Sequence, residues 1–443
     1  MMLNSLIQIL TSLRLTVACL FAAIILVFFG TLAQVELGLY VTQEQYFRSL
    51  FVFWTPEGSN WRIPVWPGGY LLGGVLLANL IAAHIKRFKF TPKRSGIFLT
   101  HIGLILLLVG QFLTEVYQVE SFMRIEEGNA KNYSEDGRGN ELAVIDVTDP
   151  NQEKVVALPQ RSLVKGATID IPDFPLSIRV KEFFRNSVPG GPMVQPSGAR
   201  ITATQGAGLR LPFDQQAITA KMDDENKPVA LVEVVADGTA LGEWTVSTWL
   251  TKHPWSTYLK GQLGASGSLI GPQTFQHAGR TYELALRPVR YYKSYTVKLL
   301  DFTHARYKGT DIPKDFSSRI HLSDPGENVE RDVLIYMNNP LRYGGETYYQ
   351  GGFEPGDTVS ILQVVKNPAW LTPYLSCILV GVGLLVQFGM HLTGFLKKSR
   401  TRAKGAPGAH ASGHEPATRV QPTAVPAGAV NGAVNRSHSK RNS

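Results

Sequence analysis

The chain has 443 residues, 44% of them hydrophobic, with a formal net charge of +9 and two cysteines. That length admits two or three domains. The basic charge does not point to nucleic acid, because it is gathered beside apolar runs. Lys397–Ser443 holds nine Lys/Arg against one acid and Lys86–Arg94 holds five, which leaves the rest of the chain net acidic.

In chain order, the first predicted element is the apolar run from Leu15 to Ala33. Arg14 before it and Thr31-Leu32-Ala33 near its end imitate a signal peptide. The run is longer than a usual signal core, however, and reads as a retained span. The second and third runs, Gly68 to Ile85 and Ile97 to Leu113, flank the basic loop KRFKFTPKR, and the fourth is Leu371 to Leu392. Each is about 17–22 residues long with few or no full charges, enough at 1.5 Å per residue to cross roughly 30 Å of hydrocarbon.

Lys and Arg beside span ends remain on the cytoplasmic side. The amino terminus is therefore expected inside, Gln34–Pro67 outside, Lys86–Arg94 inside, about Glu115–Pro368 outside and the tail inside. In that topology Cys19 and Cys377 differ in depth by about 10 Å, beyond the reach of a disulfide. The external part contains no cysteine and so must be held by its own core. It cannot perform thiol–disulfide chemistry.

The first external loop concentrates Trp54, Trp61 and Trp66 with three prolines. Tryptophans beside a span usually anchor at the headgroup level; a contact surface for a partner or a flat ligand is the other role open to them. The long external segment is rich in short alternating runs bounded by turn residues. FPLSIRVKEFF, KPVALVEVVADG, SYTVKLLDFTHARY, DVLIYMNNP, GETYYQGGF and DTVSILQVV all predict strands. They make either one large sandwich or two smaller ones, with Ser187–Asp224 as an irregular linker.

Past Leu396 the composition shifts to Ala, Gly, Pro, Ser, Thr and basic residues, so Ser399–Ser443 is expected to be disordered and His410, His414 and His438 to be solvated. There is neither a repeat of solenoid period nor an inverted pair of broken spans. The expected fold class is a membrane protein with four transmembrane α-helices and a large β-rich extracytoplasmic domain inserted between helices 3 and 4. Residues 1–114 carry three spans, 115–368 the external domain, 369–396 the fourth span and 397–443 a basic cytoplasmic tail.

An ionisable side chain within a span is a functional candidate by default. His101 lies about 9–10 Å inside the third span, with His84 at the cytoplasmic end of the second and His391 at that of the fourth. At the interface His84 and His391 can also snorkel to headgroups, whereas His101 has either a chemical role or an interhelical hydrogen bond worth about 1 kcal/mol. A neutral imidazole in an apolar shell suits axial ligation of haem iron, with Phe98, Leu104 and Ile105 as a wall for the macrocycle. A proton relay would need acidic residues, and the span interiors have none. The chain has no C-x-x-C, haem-attachment C-x-x-C-H, zinc-type cluster, phosphate loop or nucleophile elbow. His253, His277, His304 and His321 read as ordinary surface or core residues.

SLRLTVACLFAAIILVFFGTLAQ, ANLIAAHIKRF, GIFLTHIGLILLLVGQFLT, ESFMRIEEGNAKNYSED, MNNPLRYGGETYYQGGF and LQVVKNPAWLTPYLSCILVGVGLLVQF follow one another along the chain. Together they resemble the ResB family, also called CcsB, of System II cytochrome c biogenesis. The resemblance implies a multi-pass protein of the bacterial cytoplasmic membrane with a large periplasmic domain. It further implies one subunit of a haem lyase, not catalytic alone, whose partner is a ResC or CcsA-type protein with a tryptophan-rich WWD segment that this chain lacks. The family's third-span haem ligand maps onto His101. Haem b would be the transported substrate and apocytochrome c the acceptor, with its thiols kept reduced by a separate pathway. The Trp54–Trp66 loop and EEGNAKNYSED are candidate docking surfaces. The rival roles are a haem-free assembly scaffold and a resident b-type electron carrier with His84, His101 or His391 as permanent ligands.

Overall fold

Four helices in the computed structural model are long and apolar enough to cross a membrane. The structure describes residues 7–56, 61–87, 91–190, 198–219, 225–263, 270–309, 313–354 and 356–404. The chain divides into two units, Met1–Gln387 and Phe388–Ser443.

Helix α1 spans Leu13–Thr42 and starts on Ser12, whose side chain accepts a hydrogen bond from the Arg14 backbone N–H. It outruns the apolar run Leu15–Ala33 because hydropathy reports contact with hydrocarbon, whereas a helix needs only a backbone that stays helical. The break comes at Gly38 (φ 77°, ψ 165°), a conformation glycine adopts without a Cβ penalty. A π-helical turn, Gln43–Phe47, leads to the hairpin of β1 (Phe51–Trp54) and β2 (Ile63–Pro67). The segment expected as a loop from Gln34 to Pro67 is therefore largely ordered. Val52 of the hairpin packs with Cys19 and Leu26 of α1 and with Leu72 of α2 (Gly69–Arg87).

Helix α3, Ser95–Tyr117, buries a stripe of three glycines, Gly96, Gly103 and Gly110. These glycines face α4 (Thr372–Lys404). A Cβ on Gly103 would lie 2.7 Å from Val380 Cγ2 and 3.0 Å from the Ser376 carbonyl oxygen, and one on Gly110 2.1 Å from Thr372 Oγ1. Without a hydrophobic drive between helices in lipid, such small residues permit the close backbone approach that joins them. Helix α4 continues through Ser399–Lys404, where disorder was expected. Lys, Arg and Ala there are good helix formers. The rest of that tail, with His410, His414 and His438, lies outside the described residues. Cys19 and Cys377 are both free.

Between α3 and α4 the chain is almost entirely strands. β3 (Val119–Glu126), β4 (Ala130–Asp146) and β5 (Lys154–Pro159) are followed by β6 (Thr168–Asp170) and β7 (Leu176–Phe184). Next come β8 (Ser187–Pro189), β9 (Arg200–Ile201), β10 (Phe213–Gln215), β11 (Val229–Ala236) and β12 (Thr239–Ser247). After the short helices Thr248–Thr251 and Trp255–Leu263 follow β13 (Gln273–His277), β14 (Arg280–Arg306), β15 (Pro313–Asp324) and β16 (Val329–Tyr336). The last strands are β17 (Leu341–Tyr343), β18 (Glu346–Phe353) and β19 (Val359–Lys366).

The main sheet runs β16-β15-β14-β4-β3-β19-β18-β17, with β5 on β4 and β13 on β14; a second sheet runs β12-β11-β7-β6. All the pairings of named strands are antiparallel, and alternation decides which side is buried. In β3, for instance, Ser121, Met123 and Ile125 point inward. β14 stays in one sheet for 27 residues by shifting register at Pro288, which has no N–H for the ladder.

Two cores result, both resting on β14. One lies between the sheets and joins Leu142, Tyr282 and Leu284 to Ile178, Val232 and Trp244. The other is enclosed where the main sheet curls its edges together, around Met123, Val297, Ile320, Tyr348 and Leu362. Ser187–Asp224, expected as a linker, contributes the small sheet β8-β10-β9 and buries Ile201 and Phe213 in a third cluster. Its apolar residues are too widely spaced for strand periodicity to register, and residues 191–197 and 220–224 of it lie outside the described residues.

Candidate functional site

Helices α2 and α3 are antiparallel neighbours. At one end the Tyr70 hydroxyl reaches Glu115 Oε1 at 3.3 Å, and Arg48 Nε pairs with the same carboxylate at 2.7 Å. His84 is fourteen residues along α2 from Tyr70, and His101 fourteen residues back along α3 from Glu115. Equal offsets at 1.5 Å per residue bring both histidines to one level, about 21 Å from the collar.

There they meet. The two imidazole centroids are 4.9 Å apart, edge to face at 84°, and the Phe98 ring centroid lies 6.0 Å from that of His84. Both rings are half-buried. His101 Nδ1 is buried and has no hydrogen-bond partner among the described residues. Asn79, five residues before His84, provides the contrast: its amide donates to the Leu10 and Ser12 carbonyls at 2.7 and 3.2 Å and accepts from the Thr16 hydroxyl at 2.6 Å. That polar group ties α1 to α2 and is fully used. His101 is not used in this way, although an unmade hydrogen bond on a buried polar atom costs about 1–3 kcal/mol.

A nitrogen lone pair held in apolar surroundings without a proton donor is a metal ligand in waiting. The donor chemistry suits haem iron, and the spacing restricts how it is used. Imidazole nitrogens sit about 2 Å from a bound metal, so rings on opposite faces of one iron have centroids about 6 Å apart. His84 and His101 are closer than that. At 4.9 Å the two rings stand too close together to ligate opposite faces of one iron.

The structure brings together two of the three histidines singled out from the sequence. His391 lies on α4 within Phe388–Ser443 and is exposed. Of the expected apolar wall, Phe98 flanks His84 and Leu104 is exposed. In the hairpin, Trp54 and Trp61 are exposed, whereas Trp66 donates its indole N–H to the Ala22 carbonyl at 3.2 Å. Sequence reasoning missed Asn79 and the glycine stripe. The seven-residue spacing of Gly96, Gly103 and Gly110 was the available signal for the stripe.

The histidines of the β-domain all face carboxylates. His253 reaches Glu354 at 3.0 Å, His277 reaches Asp237 at 3.4 Å and His304 reaches Asp357 at 3.0 Å. His321 is held between Asp332 and Glu330, each at 2.7 Å. Among the described residues no group of three or more His, Cys, Asp or Glu is placed to hold a metal ion.

The sequence itself is similar to known proteins. The model of the ResB-like family matches residues 268–360, which cover β13 to β18 and the first residues of β19. Over 315 residues, 70% of the chain, the sequence is 24% identical to Protein NrfI of Wolinella succinogenes. The matched part is 29% of NrfI, so the chain spans under a third of that relative's length. The resemblance drawn from the sequence segments is borne out.

Proposed function

We propose, on the premise that this chain is a ResB-like protein, that it serves cytochrome c biogenesis as one subunit of a two-subunit haem lyase. In this reading the four helices cross the bacterial cytoplasmic membrane with the basic segments inside and the β-domain in the periplasm. The chain carries haem b across the membrane and supports its covalent attachment to the CxxCH motif of apocytochrome c. The partner is a ResC or CcsA-type WWD protein.

The observation that carries the reading is the half-buried His101 imidazole, whose buried Nδ1 has no hydrogen-bond partner among the described residues and which is set edge to face with His84. His101 supplies one axial nitrogen. The spacing of the pair favours a second ligand from the partner over His84. His84 then acts by packing against the His101 ring and fixing its orientation. At the periplasmic side each cysteine thiol adds across a haem vinyl group: an S–C bond forms, the S–H bond breaks, its hydrogen ends on carbon, and no oxidant is consumed. The external part of this chain has no thiol, so reduction of the client cysteines belongs to another protein.

Coexpression of the chain with its WWD partner tests the assignment. His101→Ala is expected to lower copurified haem more than about tenfold, the scale of losing a metal-site contact, and to stop cytochrome c maturation. Unchanged haem and unchanged maturation would sink the ligand role. A redox-cycling b-type spectrum in the chain without its partner would make it an electron carrier instead, and an intact pair that never holds haem would make it a scaffold.

A further inference from the structure

A second cluster of unusual side chains lies in the β-domain, where β3, β4 and β14 run side by side. Arg124 of β3 makes a two-pronged contact with Glu354, Nε to Oε1 at 2.6 Å and Nη2 to Oε2 at 2.7 Å. His253 Nδ1 approaches the same carboxylate at 3.0 Å. Arg290 of β14 pairs with Glu135 of β4 at 3.1 Å and stacks 4.2 Å from the ring centroid of Tyr133.

Lys131 of β4 is the exception. Its ammonium lies 5.0 Å from the Tyr133 centroid and has no carboxylate within ion-pair distance among the described residues. Burial, above all, pushes its pKa down; Glu135 and Glu354 oppose this, while Arg124 and Arg290 add to it. The two nearest acids are already engaged by arginines, so the half-buried cluster carries one cation more than it neutralises. A desolvated charge without a counter-ion is costly, and one aromatic face returns only part of that cost, about 0.5–2 kcal/mol. Beside it Tyr292, its ring 5.7 Å from that of Tyr133, is 52% exposed and leaves an aromatic surface open.

We infer that Lys131, with Arg124, Arg290 and His253 around it, forms a binding site for a carboxylate, and that this carboxylate is a propionate of the porphyrin carried by the chain. The identity of the ligand rests on the function proposed above; the carboxylate site rests on the cluster alone. The ammonium supplies the charge-assisted contact, and Tyr292 offers its ring to the macrocycle.

The test uses the full chain in lipid nanodiscs and metal-free protoporphyrin IX, which has both carboxylates but no iron for His101. Porphyrin fluorescence should report saturable binding that Lys131→Met weakens about tenfold, as expected for loss of one charge-assisted hydrogen bond, and that Lys131→Arg restores. The dimethyl ester should bind wild type and Lys131→Met alike. Copurified haem in the coexpressed pair reads the iron ligand, whereas Lys131-dependent binding of metal-free porphyrin reads this site, which separates failure of the one from failure of the other. Equal binding of the diacid by wild type and Lys131→Met would overturn the proposal. Retention of hexaglutamate by wild type with no binding of porphyrin would assign the site to a polypeptide carboxylate and overturn the porphyrin assignment.

Discussion

The histidines of the β-domain and those of the helices stand in opposite surroundings. Each external imidazole has a carboxylate at 2.7–3.4 Å. In the helices, α2 contains no acidic residue, α3 only Glu115, and His84 and His101 face each other. A carboxylate fixes an imidazole's proton and favours its charged form. An apolar shell with no acid offers the ring no such partner. The same residue type is thus a ring positioned by a carboxylate in one region and a candidate iron ligand in the other.

His304 comes closest to crossing that line. Its Nδ1 contacts Asp357 while its Nε2 is buried without a hydrogen-bond partner, and the ring lies 4.2 Å from that of Phe353. Its side chain is only 2% exposed, however, and packs in the aromatic cluster of Phe353 with Phe302 and Phe316, leaving no opening for a macrocycle.

If the contrast is sound, damage to the two regions should be separable. The largest effect is expected at the buried pair of Arg287 and Glu141, 3.1 Å apart with side chains 4% and 8% exposed. Glu141→Gln leaves the guanidinium without a counter-charge in the sheet and should destabilise the β-domain by about 3 kcal/mol. Chemical denaturation followed by tryptophan fluorescence measures the loss. Iron ligation by His101, read from the Soret band per folded molecule, should not change; its loss would link the regions that the comparison separates.

A smaller effect is expected between α3 and α4. Gly103→Val places new methyl groups against Val380 and the Ser376 carbonyl oxygen. Overpacking of this kind costs about 1–3 kcal/mol. Because Gly103 is two residues from His101, the variant should lose both thermal stability in detergent and part of the bound haem. Loss of stability with full haem occupancy would show that the histidine pair tolerates displacement of α3.

His101 was legible because one polar residue interrupts an otherwise apolar run, and such a break is visible without knowledge of the fold. Its neighbour was not. That His84 lies against it depends on the register of two helices, which the contacts of Glu115 with Tyr70 and Arg48 set at the far end. The strands of the β-domain were legible from period-two alternation, as in β7, β11 and β19. The joint use of β14 by two cores was not, since Pro288 argues locally for ending the strand there. Lys131 belongs with the illegible features. Its neighbours come from β3, β4, β14, the segment after β18 and the loop holding His253, and no local pattern joins residues 124, 131, 253, 290 and 354.

The smallest effect sharpens the comparison from the external side. Asp332 first, then Glu330, raise the pKa of His321 above its ordinary value of 6.5. A histidine whose folded pKa is raised contributes stability that is fully present below the unfolded value and disappears as pH rises through the folded one. His321 is exposed, so solvent screens the pair and the contribution is small. His321→Gln should therefore lower the denaturation midpoint slightly at about pH 6 and leave it equal to wild type at about pH 9, where both imidazole states are neutral. The opposite trend, a deficit that grows with pH, would mean that His321 is held as a neutral hydrogen-bonding ring. In that case a neighbouring carboxylate would not distinguish the external histidines from the pair in the helices.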